Sequence, residues 1–95
     1  MKLSWKKHAE ERFLERVLKY NFMYGELDSV ILHQRVRIPQ GYDRKYGTDK
    51  YKVIEKVNDI MVTIEKAEYK DRIHVITLWE ANKKEVEIWE NHQTK

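Results

Sequence analysis

Cysteine is absent from the 95-residue chain. Its absence removes disulfide staples, thiolate metal sites and a cysteine nucleophile, and leaves the redox compartment open. Proline occurs once and glycine three times, so few positions are marked for tight turns. No apolar run approaches the roughly 18 residues that a membrane span needs. The opening MKLSWKKHAEERF turns charged too soon for a signal peptide. A cytoplasmic protein without a membrane partner is therefore expected. The histidines, His8, His33, His74 and His92, have none of the short spacings of zinc sites. There is no glycine-rich phosphate loop. Neither a metal nor a cofactor is expected.

What the chain does carry is charge. Charged residues make up 37% of it and hydrophobic residues 41%, which leaves a thin core for a single domain over residues 1–95. Such a core makes a homodimer a reasonable source of extra burial. The net charge of +3 is unevenly spread. Residues 1–20 hold six basic and three acidic side chains, and residues 33–52 hold six and two. Residues 53–95 hold seven basic and nine acidic. A basic first half points to a polyanionic partner such as RNA, against the plainer reading of solubilising charge.

Ser4 reads as an N-cap, and Lys6 to Tyr20 as an amphipathic helix with Ala9, Phe13 and Val17 in one apolar row. His8, Arg12, Arg16 and Lys19 fall along one side of it. A second, shorter helix is predicted over Glu26 to His33. Arg35 to Pro39 alternates as a short edge strand that the proline ends, and GYDRKYGTDK reads as a loop. Strands are predicted at Tyr51 to Val57, Ile60 to Glu65 and Arg72 to Trp79, with Asn58-Asp59 as a turn between the first two. Strict alternation puts Trp79 with Ile73, Val75 and Thr77 in the core. EVEIW fits a last strand or a short helix. The expected fold class is α+β: two N-terminal helices packed on an antiparallel sheet of three to five strands.

Chemistry is sought first at His8. An imidazole near neutral pKa can exchange a proton with a ribose hydroxyl, and guanidiniums at Arg12 and Arg16 can grip phosphate. That is what RNA cleavage by 2′-hydroxyl attack requires. Against it stands a histidine that merely decorates a polar helix face. Arg35, Arg37, Arg44, Lys45 and Lys50 alternate with Tyr42, Tyr46 and Tyr51. Together with Lys19 they suit a phosphate-binding surface with stacking partners, or else a solvated loop. Tyr46 or Tyr51 is placed to donate a proton or position phosphate. His74 and Arg72 complete a site if their strand face is open; otherwise His74 is a half-buried, satisfied histidine.

HAEERFLERV, with His8, Ala9, Glu11, Arg12 and Arg16, resembles the first-helix pattern of the DUF4258 family of small domains. ELDSVIL resembles its second helix, and YKVIEKV and HVITLWE its later strands, over residues 6 to about 80. The chain departs from it at VLKYNFMYG, where many members have a short Arg-Gly-Ile turn. That family is similar to RelE-like and barnase-like toxin nucleases. The resemblance implies a RelE-like domain, a toxin-like role, an antitoxin-like protein partner and metal-independent ribonuclease chemistry at His8, Arg12 and Arg16.

The leading expectation is thus a toxin-like, RNA-directed protein acting as a metal-independent endoribonuclease. Its catalytic candidates are His8, Arg12, Arg16 and Tyr51. Two alternatives stay open: a non-catalytic nucleic-acid-binding module, and a dimeric protein-interaction domain.

Overall fold

Alternation of apolar and polar side chains along three consecutive segments builds a sheet, and the register of that sheet decides which residues meet. A computed structural model of the chain describes residues 2–7, 9–12, 15, 36–57 and 59–93. Its strands are β1 (Lys2–Trp5), β2 (Val36–Asp43), β3 (Thr48–Val57), β4 (Ile60–Glu68) and β5 (Arg72–Glu80). Residues 7, 9–12 and 15 are helical, and a C-terminal helix covers Lys83–Gln93. No helix among the described residues is long and apolar enough to cross a membrane.

The five strands form one sheet in the order β1-β5-β4-β3-β2. β2 to β5 run as an antiparallel meander, while β1 lies parallel to β5 at the far edge. The expected arrangement of two N-terminal helices on an antiparallel sheet is therefore corrected: the sheet is mixed and the chain enters it as a strand. Leu3 and Trp5 pack on the core, and Ser4 pairs with His74 in the ladder rather than capping a helix. Three residues of alternation are too few to tell from a cap signature, which is why this strand is hidden in the sequence. The second predicted helix, over Glu26 to His33, lies outside the described residues.

One sheet face, the Ala9 face, carries the apolar core. Val57, Val62, Ile64, Ile73, Val75 and Leu78 cluster there with Ala9 from the N-terminal helical residues, and Leu3, Trp5 and Ile60 pack at the margin. Full burial of each valine or leucine of this kind contributes about 1.5–3 kcal/mol. The opposite face, the His74 face, receives the C-terminal helix over one end. There Asn82 and Glu85 form a capping box: Glu85 N donates to Asn82 Oδ1 at 2.9 Å and Asn82 N to Glu85 Oε1 at 2.9 Å. The same carboxylate accepts from Trp79 Nε1 at 3.1 Å and lies 3.6 Å from Lys52 Nζ, so the helix start is pinned to the sheet. The ambiguous EVEIW segment is thus helical.

Two bulges set the side-chain faces. On β5, Val75 pairs with Lys66 and Thr77 with Glu65, leaving Ile76 without a partner. On β2, Pro39 pairs with Tyr51 and Gly41 with Lys50, leaving Gln40 extra; Gly41 takes a φ of 89° there. Each extra residue reverses the alternation beyond it. Trp79 consequently shares a face with Thr77 and His74, not with Ile73 and Val75 as strict alternation predicts.

Candidate functional site

The register carries one row of residues across the whole sheet. Gly41 faces Lys50, Lys50 faces Ala67, Ala67 faces His74, and His74 faces Ser4. Directly opposed residues share a face. Ala67 is fully buried, and its small side chain separates Lys50 from His74.

His74 sits at the centre of the candidate site. Its Nδ1 is 2.8 Å from Ser4 Oγ. The backbone N of Lys6 still donates to Val75 O at 2.8 Å before the chain turns helical, with Glu10 N donating to Lys6 O at 3.0 Å. That junction fixes Lys6 beside the row. Its ammonium donates to Tyr46 Oη at 3.1 Å. The Tyr46 ring lies 6.0 Å from the His74 ring, tilted by 43°. Lys45 Nζ is 5.7 Å from the centre of the same tyrosine ring.

Tyr46 is held by the turn that carries it. Asp43 Oδ1 accepts from the amides of Lys45 at 2.8 Å and Tyr46 at 3.3 Å, and Gly47 N donates to Asp43 O at 2.8 Å. Gly47 closes the turn with a φ of 67°, where a side chain would be strained. From the neighbouring hairpin Tyr69 Oη donates to Tyr46 O at 2.6 Å. The predicted loop is therefore mostly strand, with only residues 44–47 as the turn.

The electrostatics separate two kinds of basic residue. Among the described residues Arg12, Arg37, Lys50, Lys52, Lys56 and Lys66 each face a carboxylate. Lys6, Lys45 and Arg72 have no carboxylate within salt-bridge distance among those residues. Burial pushes the His74 pKa below its ordinary 6.5, and the positive charges of Arg72 and Lys6 push it the same way. Both influences favour the neutral imidazole. The hydrogen bond to Tyr46 raises the pKa of Lys6, which keeps it cationic.

The sequence-predicted residues distribute unevenly over this geometry. His8, Arg16, Lys19 and Arg35 lie outside the described residues. Arg12 is helical, with Nη1 3.6 Å from Glu15 Oε2. Tyr51 and Arg37 are on the Ala9 face, away from His74. There the Arg37 guanidinium lies 3.6 Å over the Tyr51 ring and grips Glu68 through two bonds of 2.9 and 2.6 Å. Lys50 is on the His74 face but is matched by Asp43 at 3.0 Å and Glu65 at 3.8 Å. Its bond to Asp43 is the main cause of its raised pKa. Arg44 is exposed in the turn. Of the predicted set, Tyr46 lies beside His74, with Lys45 against the tyrosine ring. Ser4, Lys6 and Tyr69 carry no site signal in the sequence, since partners 70 and 40 positions apart leave no local spacing to read.

No group of three or more histidines and carboxylates suited to a metal ion occurs among the described residues. Neither a family model nor a curated protein nor a solved structure matches the chain.

Proposed function

We propose that this chain is an RNA-directed protein of toxin-like type that cleaves a phosphodiester bond by 2′-hydroxyl attack, with its centre at His74. One observation carries the reading: the His74 imidazole, 2.8 Å from Ser4 Oγ, lies beside Tyr46, whose hydroxyl takes the Lys6 ammonium and whose ring meets Lys45, on the strand face that also carries Arg72. The first-helix resemblance to the DUF4258 family implies the same kind of chemistry, although it assigns it to His8, Arg12 and Arg16.

In this reading His74 Nε2 takes the proton of the ribose 2′-hydroxyl. The oxygen attacks phosphorus, the bond to the 5′ oxygen breaks, and a 2′,3′-cyclic phosphate forms. Tyr46 donates its phenolic proton to the departing oxygen, with the Lys6 ammonium beside the phenol as that proton leaves. Lys45, against the Tyr46 ring, counters the charge on the phosphoryl oxygens. Ser4 positions the base. A hydroxyl oxygen can accept as well as donate, so Ser4 Oγ can take a hydrogen bond from a protonated Nδ1. With Nδ1 engaged by Ser4, the proton belongs on Nδ1 and the lone pair on Nε2.

The test is cleavage of mixed single-stranded and structured RNA in EDTA. His74→Ala is expected to lower the rate by roughly 10²–10⁴-fold, the range for loss of a general base, while His8→Ala stays close to wild type. The reverse pattern would move the centre to the first helix. Binding without cleavage by the wild type would reduce the protein to a nucleic-acid-binding module.

A further inference from the structure

The hairpin tip between β4 and β5 holds a stacked pair that the cleavage chemistry does not use. The Arg72 guanidinium carbon lies 4.2 Å over the Tyr69 ring. The tip is closed by Tyr69 N donating to Arg72 O at 2.8 Å. The Tyr69 hydroxyl is tied to the backbone of the neighbouring turn at 2.6 Å, so the ring beneath the guanidinium is fixed from both sides. Arg72 is exposed and has no carboxylate partner among the described residues, so its planar group is held by the ring alone. It is also two residues from His74 on the same strand face, about 7 Å along the backbone.

We infer that the Arg72–Tyr69 stack is a platform for one unpaired nucleobase, next to the phosphate held at His74. This rests on the RNA-directed reading above and adds a substrate class: single-stranded RNA, with one base splayed onto a guanidinium plane. A flat cation already resting on an aromatic ring accepts a base on its outer side, as Arg planes and aromatic rings do in single-strand recognition. A base paired in a duplex cannot turn its face to this platform while its phosphate reaches His74.

The probe is a short single-stranded 2′-O-methyl oligoadenylate, which 2′-hydroxyl chemistry cannot cleave, against the same oligomer made fully abasic. Affinities are read by fluorescence anisotropy for the wild type and for Arg72→Lys. That substitution keeps the charge and removes the plane. The wild type is expected to bind the intact oligomer at least about fivefold more tightly than the abasic one, the low end of single-base stacking. Arg72→Lys is expected to lose that preference and keep its affinity for the abasic strand. Equal wild-type affinities for the two oligomers would overturn the platform and leave the RNA reading standing. A preference that survives in Arg72→Lys would place the stacking elsewhere and overturn it too. Binding to neither oligomer would sink the RNA reading and the platform together.

Discussion

Removal of the Glu85 carboxylate should release the C-terminal helix from the sheet. Glu85 is only 5% exposed. It accepts from Asn82 N at 2.9 Å and Trp79 Nε1 at 3.1 Å, and its second oxygen lies 3.6 Å from Lys52 Nζ. Glu85→Ala deletes two hydrogen bonds to a charged acceptor, each of the order of 1.5–3 kcal/mol. Water regains part of that at a helix end, so the expected cost is about 3 kcal/mol. For a domain of this size that lowers Tm by roughly 12–24 °C. Glu85→Gln retains an acceptor oxygen and should cost about 1 kcal/mol. The pH dependence supplies the sharper check. Burial, the largest influence on Glu85, pushes its pKa up. It is outweighed by the Asn82 amide, the Trp79 indole, the Thr63 hydroxyl and Lys52, which leave the pKa below the ordinary 4.5. A depressed carboxylate stabilises the fold above its unfolded pKa and loses that contribution as pH falls through its folded value. The stability gap between wild type and Glu85→Gln should therefore be full at pH 7 and close below 4.5. Thermal melts across that range read it directly. A gap independent of pH, or a Glu85→Ala melt within about 4 °C of wild type, would refute the argument.

Glu68 on the other face carries a comparable duty. It receives two bonds from Arg37 and one contact of 2.8 Å from Lys66, whose side chain is 0% exposed. Glu68→Gln should cost about 2–3 kcal/mol in urea unfolding, less than a wholly buried pair because Arg37 is partly exposed; a loss under about 1 kcal/mol would mean the contacts behave as a surface pair. Gly47 has a φ of 67°, and a Cβ there would meet nothing within 4 Å, so its requirement is purely one of backbone. Gly47→Ala should cost about 1–2 kcal/mol and Gly47→Asn clearly less, since asparagine tolerates this region; equal losses would contradict that. His74 must be neutral to accept a proton, and its pKa is depressed, so kcat/KM should rise with pH about a midpoint below the ordinary 6.5. A rise centred above that value would remove His74 as the base. Nitrogen NMR of the imidazole should find the proton on Nδ1 in the wild type and a mixture of tautomers in Ser4→Ala; a wild-type proton on Nε2 would contradict the role given to Ser4.

Much of the sheet is readable in the sequence because alternation over six or more residues rarely arises outside a strand with one buried face. The starts of β4 and β5 at Ile60 and Arg72 are where the pattern puts them, and Asp59 takes the φ of 67° expected in a two-residue turn. The strands run further than the pattern suggests. Gly41 and Asp43 look like loop residues but lie in β2, and Lys66 to Glu68 extend β4 beyond its apolar run. Local composition cannot reveal a ladder whose side chains are polar. The C-terminal helix is a different case. Val86 and Trp89 fit a helical spacing as EVEIW fits a strand, and the Asn82–Glu85 capping box is the signal that decides between them.

Pairing at a distance hides the site from the sequence. Ser4 meets His74 only because β1 lies parallel to β5, and Lys6 meets Tyr46 only because the turn at residues 44–47 reaches across the sheet. The two bulges then allocate the charges. Beyond Gln40 the alternation reverses, so Asp43 turns toward Lys50 and neutralises it. Beyond Ile76 it reverses again, so Trp79 leaves the core side and becomes the contact for Glu85. Arg37, Lys66 and Glu68 balance one another on the opposite face. A count of basic residues along the chain makes segment 33–52 the strongest candidate surface. Once its charges are paired in space, two of its most plausible phosphate ligands, Arg37 and Lys50, are already committed to carboxylates. The positive charge that acts on His74 comes from two separate segments, at Lys6 and Arg72, with Lys45 against the neighbouring Tyr46 ring. An anion drawn to that charge would arrive beside a histidine whose pKa its surroundings lower, and that coincidence is the reason for proposing phosphodiester chemistry over a merely basic surface.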